Sequence, residues 1–93
     1  MKKITIDFSF CKQPMELHKE LAEKLNLPEW YGNNLDALWD MLAGYIETPA
    51  NITLVFKPET SAASSLRELV LQITDVFEQA AKDDDQISFK SII

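Results

Sequence analysis

Asp36 and Asp40 stand four residues apart in a stretch that contains no lysine, arginine or histidine between Lys24 and Lys57. Glu29 and Glu47 bring that stretch to four negative charges with nothing to offset them locally. Both tryptophans, both tyrosines and both glycines of the protein fall within residues 30–45, as Trp30, Tyr31, Gly32, Trp39, Gly44 and Tyr45. Carboxylates at i and i+4 of a helix are neighbours and repel, at a cost of about 0.2–0.5 kcal/mol. An arrangement that costs stability without a visible folding benefit suits a surface made to meet a cation. Aromatic rings exposed beside such charges are typical anchors of a protein interface. An ordinary solvated helix face carries the same residue types, so spacing alone does not choose between the two readings.

Catalytic chemistry finds little material. The lone His18 has no serine or cysteine nucleophile near it in sequence, and a structural helix histidine is the simpler reading. Cys11 reads as a small apolar residue near the end of a strand. Asp83, Asp84 and Asp85 lack the spaced ligands and central glycine of a calcium loop and read as a solvated turn. There is no glycine-rich phosphate loop. Neither a cofactor nor a metal is expected, and the protein is not expected to be an enzyme.

The elements that must position the acidic aromatic stretch follow from hydrophobic periodicity. Ile4, Ile6 and Phe8 alternate with polar residues and predict a strand over about residues 2–8. Pro14 opens a helix carrying Leu17, Leu21, Ala22 and Leu25, which stops before Pro28. Asn33 or Asn34 caps a second helix with Leu35, Leu38, Trp39 and Leu42 in one stripe and Asp36 and Asp40 on the opposite face. Gly44 fits a left-handed stop just past that helix. Ile52 to Phe56, between Pro49 and Pro58, predicts a buried central strand. Glu59 to Ser64 is expected to be a loop that can hold one helical turn. Ser65 and Glu68 form a capping box for a long amphipathic helix through Leu66, Leu69, Val70, Ile73, Phe77, Ala80 and Ala81 to about Lys82. A last strand begins at Ile87 and Phe89. Strands separated by helices cannot be joined by tight hairpins, so the expected fold is α/β: one domain over residues 1–93, a three-stranded parallel sheet packed with three to four helices.

Composition limits the partners. With 15 acidic and 9 basic residues and a net charge of -6, the chain repels phosphate backbones and anionic lipid, so neither direct nucleic-acid nor membrane binding is expected. A basic partner is favoured. A single cysteine excludes an internal disulfide and points to a reducing, cytoplasmic setting. Lys2 and Lys3 precede an apolar stretch broken at once by Thr5, Asp7 and Ser9, so no signal peptide is expected.

The run Leu27-Pro28-Glu29-Trp30-Tyr31-Gly32-Asn33-Asn34-Leu35-Asp36-Ala37-Leu38-Trp39-Asp40 closely resembles the signature of the barstar family, intracellular inhibitors of the ribonuclease barnase. The likeness extends over nearly the whole chain, through Leu17-His18, Glu47-Thr48-Pro49 and Val76-Phe77. It implies a three-stranded parallel sheet with helices, in agreement with the pattern above. It also implies that the second helix and the loop before it plug the RNA-binding cleft of a basic ribonuclease. By position, Asp40 stands in for the substrate phosphate, Asp36 adds a second carboxylate, and Gly32, Asn34, Leu35 and Gly44 shape the close contact. The resemblance adds Trp30, Trp39, Ala43, Tyr45, Glu47 and Gln79 to the partner-binding set.

Several of these positions depart from the family pattern. A tyrosine becomes Trp30, a threonine becomes Ala43, a tryptophan becomes Tyr45, and the acidic contact of the last long helix falls at Gln79, with Glu78 one residue before it. The resemblance therefore implies the mode of action and leaves open which nuclease is bound. An immunity or adaptor module using the same acidic face on another basic protein is the rival reading. The free protein is expected to be a monomer.

Overall fold

A computed structural model describes residues 2–58 and 60–93, with the backbone alone at 62 and 63. Three strands, β1 (Lys2–Asp7), β2 (Ala50–Val55) and β3 (Ile87–Ile92), form a parallel sheet in the order β1-β2-β3. Helices α1 (Pro14–Leu25) and α2 (Leu35–Gly44) connect β1 to β2. The one-turn α3 (Ser61–Ser64) and the long α4 (Arg67–Asp83) connect β2 to β3. The expected α/β architecture is thus the observed one. Glu59, at the start of the expected loop, lies outside the described residues, and the helical turn allowed for in that loop is α3.

Register explains why the helices share one side. Ile4, Ile52 and Phe89 lie abreast across the three strands, as do Ile6 and Leu54, and these positions carry most of the buried sheet residues. Lys3, Thr5, Asn51, Thr53, Ser88 and Lys90 alternate with them, and none of the six is buried. Right-handed crossovers through strands in sequential order deliver every helix to the same apolar face. Phe8, Phe56, Phe77, Leu17, Leu21, Leu38 and Ile73 meet there with almost no solvent exposure.

Helix ends differ in detail from the periodicity. α1 begins at Pro14, with the Glu16 carboxylate accepting from the backbone N–H groups of Lys12 and Gln13, each at 3.1 Å. It ends at Asn26, whose φ of 54° is left-handed. The expected capping box of α4 is a correction. Leu66 is the N-cap of α4, with no side-chain cap hydrogen bond, because α3 and the residues after it lead into the helix with helical backbone already formed. Gly44 is a second correction. It is the last residue of α2 and has no positive φ; the stop is made by Tyr45 at φ −112°, ψ −43°. Among the described residues the left-handed ones are Asn26 and Asn33 instead. β2 starts at Ala50, two residues earlier than the β-branched run, because Ala50 N–H donates to the Gln86 carbonyl at 2.9 Å.

Candidate functional site

α2 is fixed by its cap and its buried side. The Asn34 side chain accepts from Ala37 N–H at 2.7 Å and donates through its amide to the Gly32 carbonyl at 3.2 Å. One residue therefore caps the helix and folds the preceding loop against it, a cap worth about 1 kcal/mol. A Cβ at Gly32 would lie 3.2 Å from the Ala37 Cβ, a contact tight enough that the loop or α2 would have to shift by a few tenths of an ångström to take it. Leu38, Met41 and Leu42 are buried beneath the helix. Met41 was absent from the predicted stripe, whereas Leu35 and Trp39 are only half-buried. Leu35 and Trp39 face α4 where an open groove separates the two helices, so each keeps one side in solvent.

The opposite side of α2 is exposed. Asp36 and Asp40 point away from the core, and neither makes a hydrogen bond or ion pair among the described residues. Asp36 in the first turn gains from the helix dipole, Asp40 does not, and the last turn of α2 has no basic residue. Ala43 and Gly44 are exposed at the end of the same helix, and a Cβ at Gly44 would meet nothing within 4 Å. Trp30, 69% exposed, stands edge-on to Tyr45, 45% exposed, with ring centroids 5.9 Å apart. Trp30 and Tyr45 thus leave two large rings in water, and Asp36 and Asp40 leave two carboxylates there. Glu47 lies beyond Tyr45 and approaches Lys2 at 3.7 Å, an exposed pair contributing roughly 0–1 kcal/mol.

The structure separates the four aromatic residues. Trp30 and Tyr45 are exposed and Trp39 is half-buried at the α2–α4 seam, whereas Tyr31 is buried. The Tyr31 hydroxyl lies 2.9 Å from His18 Nδ1, tying the loop that carries Trp30 to α1. Burial pushes the Tyr31 hydroxyl up to about 12 and holds the His18 imidazole below its ordinary 6.5. Cys11 is likewise buried, and burial, seconded by Glu20, Glu16 and Asp7, pushes its thiol up to about 11. No group of side chains arranged to hold a metal ion occurs among the described residues.

The histidine has a consequence for pH. The folded protein binds the proton at His18 more weakly than the unfolded chain does, so stability is full above about pH 6.5 and declines as pH falls through the lowered folded value. The urea midpoint should therefore drop between pH 7.5 and pH 5.5 more steeply in the wild type than in His18→Gln. Parallel pH dependence in the two proteins would show that His18 protonation is not resisted by the fold.

Pattern reading missed the contribution of α4. Leu35, Asp36 and Trp39 of α2 line one groove together with Asp75, Val76 and Gln79 of α4. A second hollow, on the other side of Trp39, is lined by Leu42, Ala43, Ala80, Asp83 and Asp84. Asp75, Gln79 and Asp83 recur every four residues, which marks one helix face. Only the packing of α2 on α4 shows what that face adjoins.

No helix is long and apolar enough to cross a membrane among the described residues. A family model described as barstar (barnase inhibitor) matches residues 1–93. The chain is also 35% identical over 88 residues to a Bacillus subtilis (strain 168) protein named "Putative ribonuclease inhibitor YrdF", the match covering 94% of this chain and 97% of that protein.

Proposed function

The chain belongs to the barstar (barnase inhibitor) family, and from that premise we propose that it inhibits a basic ribonuclease by filling the enzyme's RNA-binding cleft with α2 and the loop before it. The observation that carries this reading is the pair Asp36 and Asp40, exposed and without partners among the described residues, on a helix whose other side is locked into the core. A ribonuclease must hold cationic groups in its cleft to bind phosphates. Carboxylates on a rigid helix meet those groups without the ordering cost of a flexible mimic. Aspartate, with its short side chain, also loses little rotamer freedom on docking. Asp40 acts as the phosphate surrogate, Asp36 as the second carboxylate, and Trp30 and Tyr45 cover the rim of the contact with rigid apolar area.

The protein itself catalyses nothing in this account; it works as a plug. Mixing it with a panel of basic ribonucleases, barnase first, and following RNA cleavage tests the reading. Suppressed cleavage by one of them, with association slowed by added salt, is the expected result. Unaltered cleavage throughout would favour an adaptor that uses the acidic face on a different basic protein.

Gly44 offers a sharper check. Nothing in the free protein occupies the space a methyl group would take there, and alanine is the better helix former. Gly44→Ala should leave the melting temperature unchanged or slightly raised. The same methyl intrudes on the nuclease contact, where overpacking of about 1–3 kcal/mol weakens inhibition roughly 5- to 150-fold. Equal inhibition constants for the two proteins would place Gly44 outside the interface.

A further inference from the structure

The sheet face turned away from the helices gathers positive charge in a protein whose net charge is -6. Register sets Lys3 of β1 beside Asn51 in one row, and Thr5, Thr53 and Lys90 of β3 abreast in another. Lys3 and Lys90 thus stand at opposite corners of a patch floored by Thr5, Asn51 and Thr53. All five line one hollow of about 230 Å³. Strand spacing puts the two lysine Cα atoms about 12 Å apart, a gap that two four-carbon stems can close from either side. Neither ammonium has an ion pair, and none of the three floor side chains has a hydrogen bond, among the described residues. Asp7, the carboxylate on this face, lies outside the hollow and accepts from Ser9 N–H at 2.8 Å.

We propose that this hollow binds the phosphate group of a small phosphorylated molecule, held by Lys3 and Lys90 with the Thr5 and Thr53 hydroxyls and the Asn51 amide as further donors. Charge complementarity selects an anion, because two ammonium groups share one opening and the lining supplies no carboxylate to either. A phosphate monoester carries a charge of about −1.5 to −2 at neutral pH and three strong acceptor oxygens, enough to engage both lysines and the hydroxyls together. A carboxylate offers one charge and two oxygens. The charge of the whole protein sets the size of the ligand. An extended polyanion such as RNA or an anionic membrane would meet the acidic remainder of the surface. A small anion in the hollow lies within about 8–10 Å of the lysines, where salt screens them least. The hollow is on the side of the sheet opposite the helices, so the assignment is independent of the inhibitor reading and leaves α2 free.

The probe is inorganic phosphate, titrated into the free protein at constant ionic strength while backbone amide shifts are followed by NMR. Saturable shifts confined to residues 3–5, 51–53 and 88–90 are expected, with acetate binding more weakly than phosphate. Lys3→Gln and Lys90→Gln should each weaken phosphate binding about three- to tenfold, as expected for loss of one charge-assisted contact at an exposed site. Lys12→Gln and Lys24→Gln remove exposed lysines that do not line the hollow and should leave binding unaltered. Shifts that grow without saturating, or that follow every lysine alike, overturn the proposal and leave Lys3 and Lys90 as edge-strand charges that deter pairing with another sheet. Retention on RNA or on phosphatidylserine vesicles with no response to phosphate overturns it as well. The Lys3→Gln and Lys90→Gln proteins should still inhibit whichever ribonuclease the wild type inhibits, so failure of the phosphate site and failure of the inhibitor reading are separate results.

Discussion

Asp40→Ala should weaken inhibition severely while leaving the fold intact. Truncating one partner of a desolvated, hydrogen-bonded charge pair costs about 2–5 kcal/mol or more, and the barnase–barstar interface is itself a reference system for such couplings. Converted at about 1.4 kcal/mol per decade, that is roughly a 30- to several-thousandfold rise in the dissociation constant. Much of the loss arises because the nuclease's cationic groups stay buried against the plug with no counter-charge. The free protein loses nothing comparable. Asp40 is exposed, makes no bond among the described residues and repels Asp36, so its removal should leave the melting temperature level or slightly higher. Isothermal titration against the inhibited nuclease, beside a thermal melt of the free variant, separates the two effects. A variant that unfolds yet binds normally when folded would mean that the carboxylate is structural.

On the reverse side of the same helix the expectation is inverted. Leu38 has no solvent exposure, and Leu38→Ala should cost about 2–5 kcal/mol of stability through lost burial and the cavity left beneath α2. Against a typical total of about 5–15 kcal/mol this is a large fraction. Each kcal/mol lowers the melting temperature of a protein this size by about 4–8 °C. The fraction that remains folded still presents Asp36, Asp40 and Trp30, so inhibition measured well below the melting transition should weaken far less than in Asp40→Ala. Chemical denaturation gives the stability change, and inhibition at low temperature gives the affinity. A Leu38→Ala protein with wild-type stability would show that α2 is not anchored through its apolar side, and the rigid presentation of its carboxylates would need another source.

These two variants lie two positions apart in sequence, and their opposite outcomes follow from helical geometry alone. The sequence alone carries that much. Period-two alternation at Ile4, Ile6 and Phe8, the Pro14 start, and the Asn34 cap are local signals, each read from a few adjacent side chains. They located the strands, the helices and the outward face of Asp36 and Asp40. The run from Leu27 to Asp40 pointed to the family for the same reason, since it is contiguous.

Helix ends and buried pairs depart from the local pattern. Gly44 looked like a left-handed stop, but α2 ends at Tyr45 without one. Ser65 and Glu68 had the right spacing for a capping box, but chain entry from α3 made Leu66 the cap. His18 and Tyr31 form a buried pair that neither residue's neighbours announce.

Local order along the chain thus determined which residues share a helix face or a strand face, because periodicity and capping act over a few residues. Which faces meet was decided by tertiary packing alone. Asp75 became a neighbour of Asp36 only when α4 settled against α2, since contact between helices depends on how their whole apolar surfaces interlock and not on any short pattern within either one.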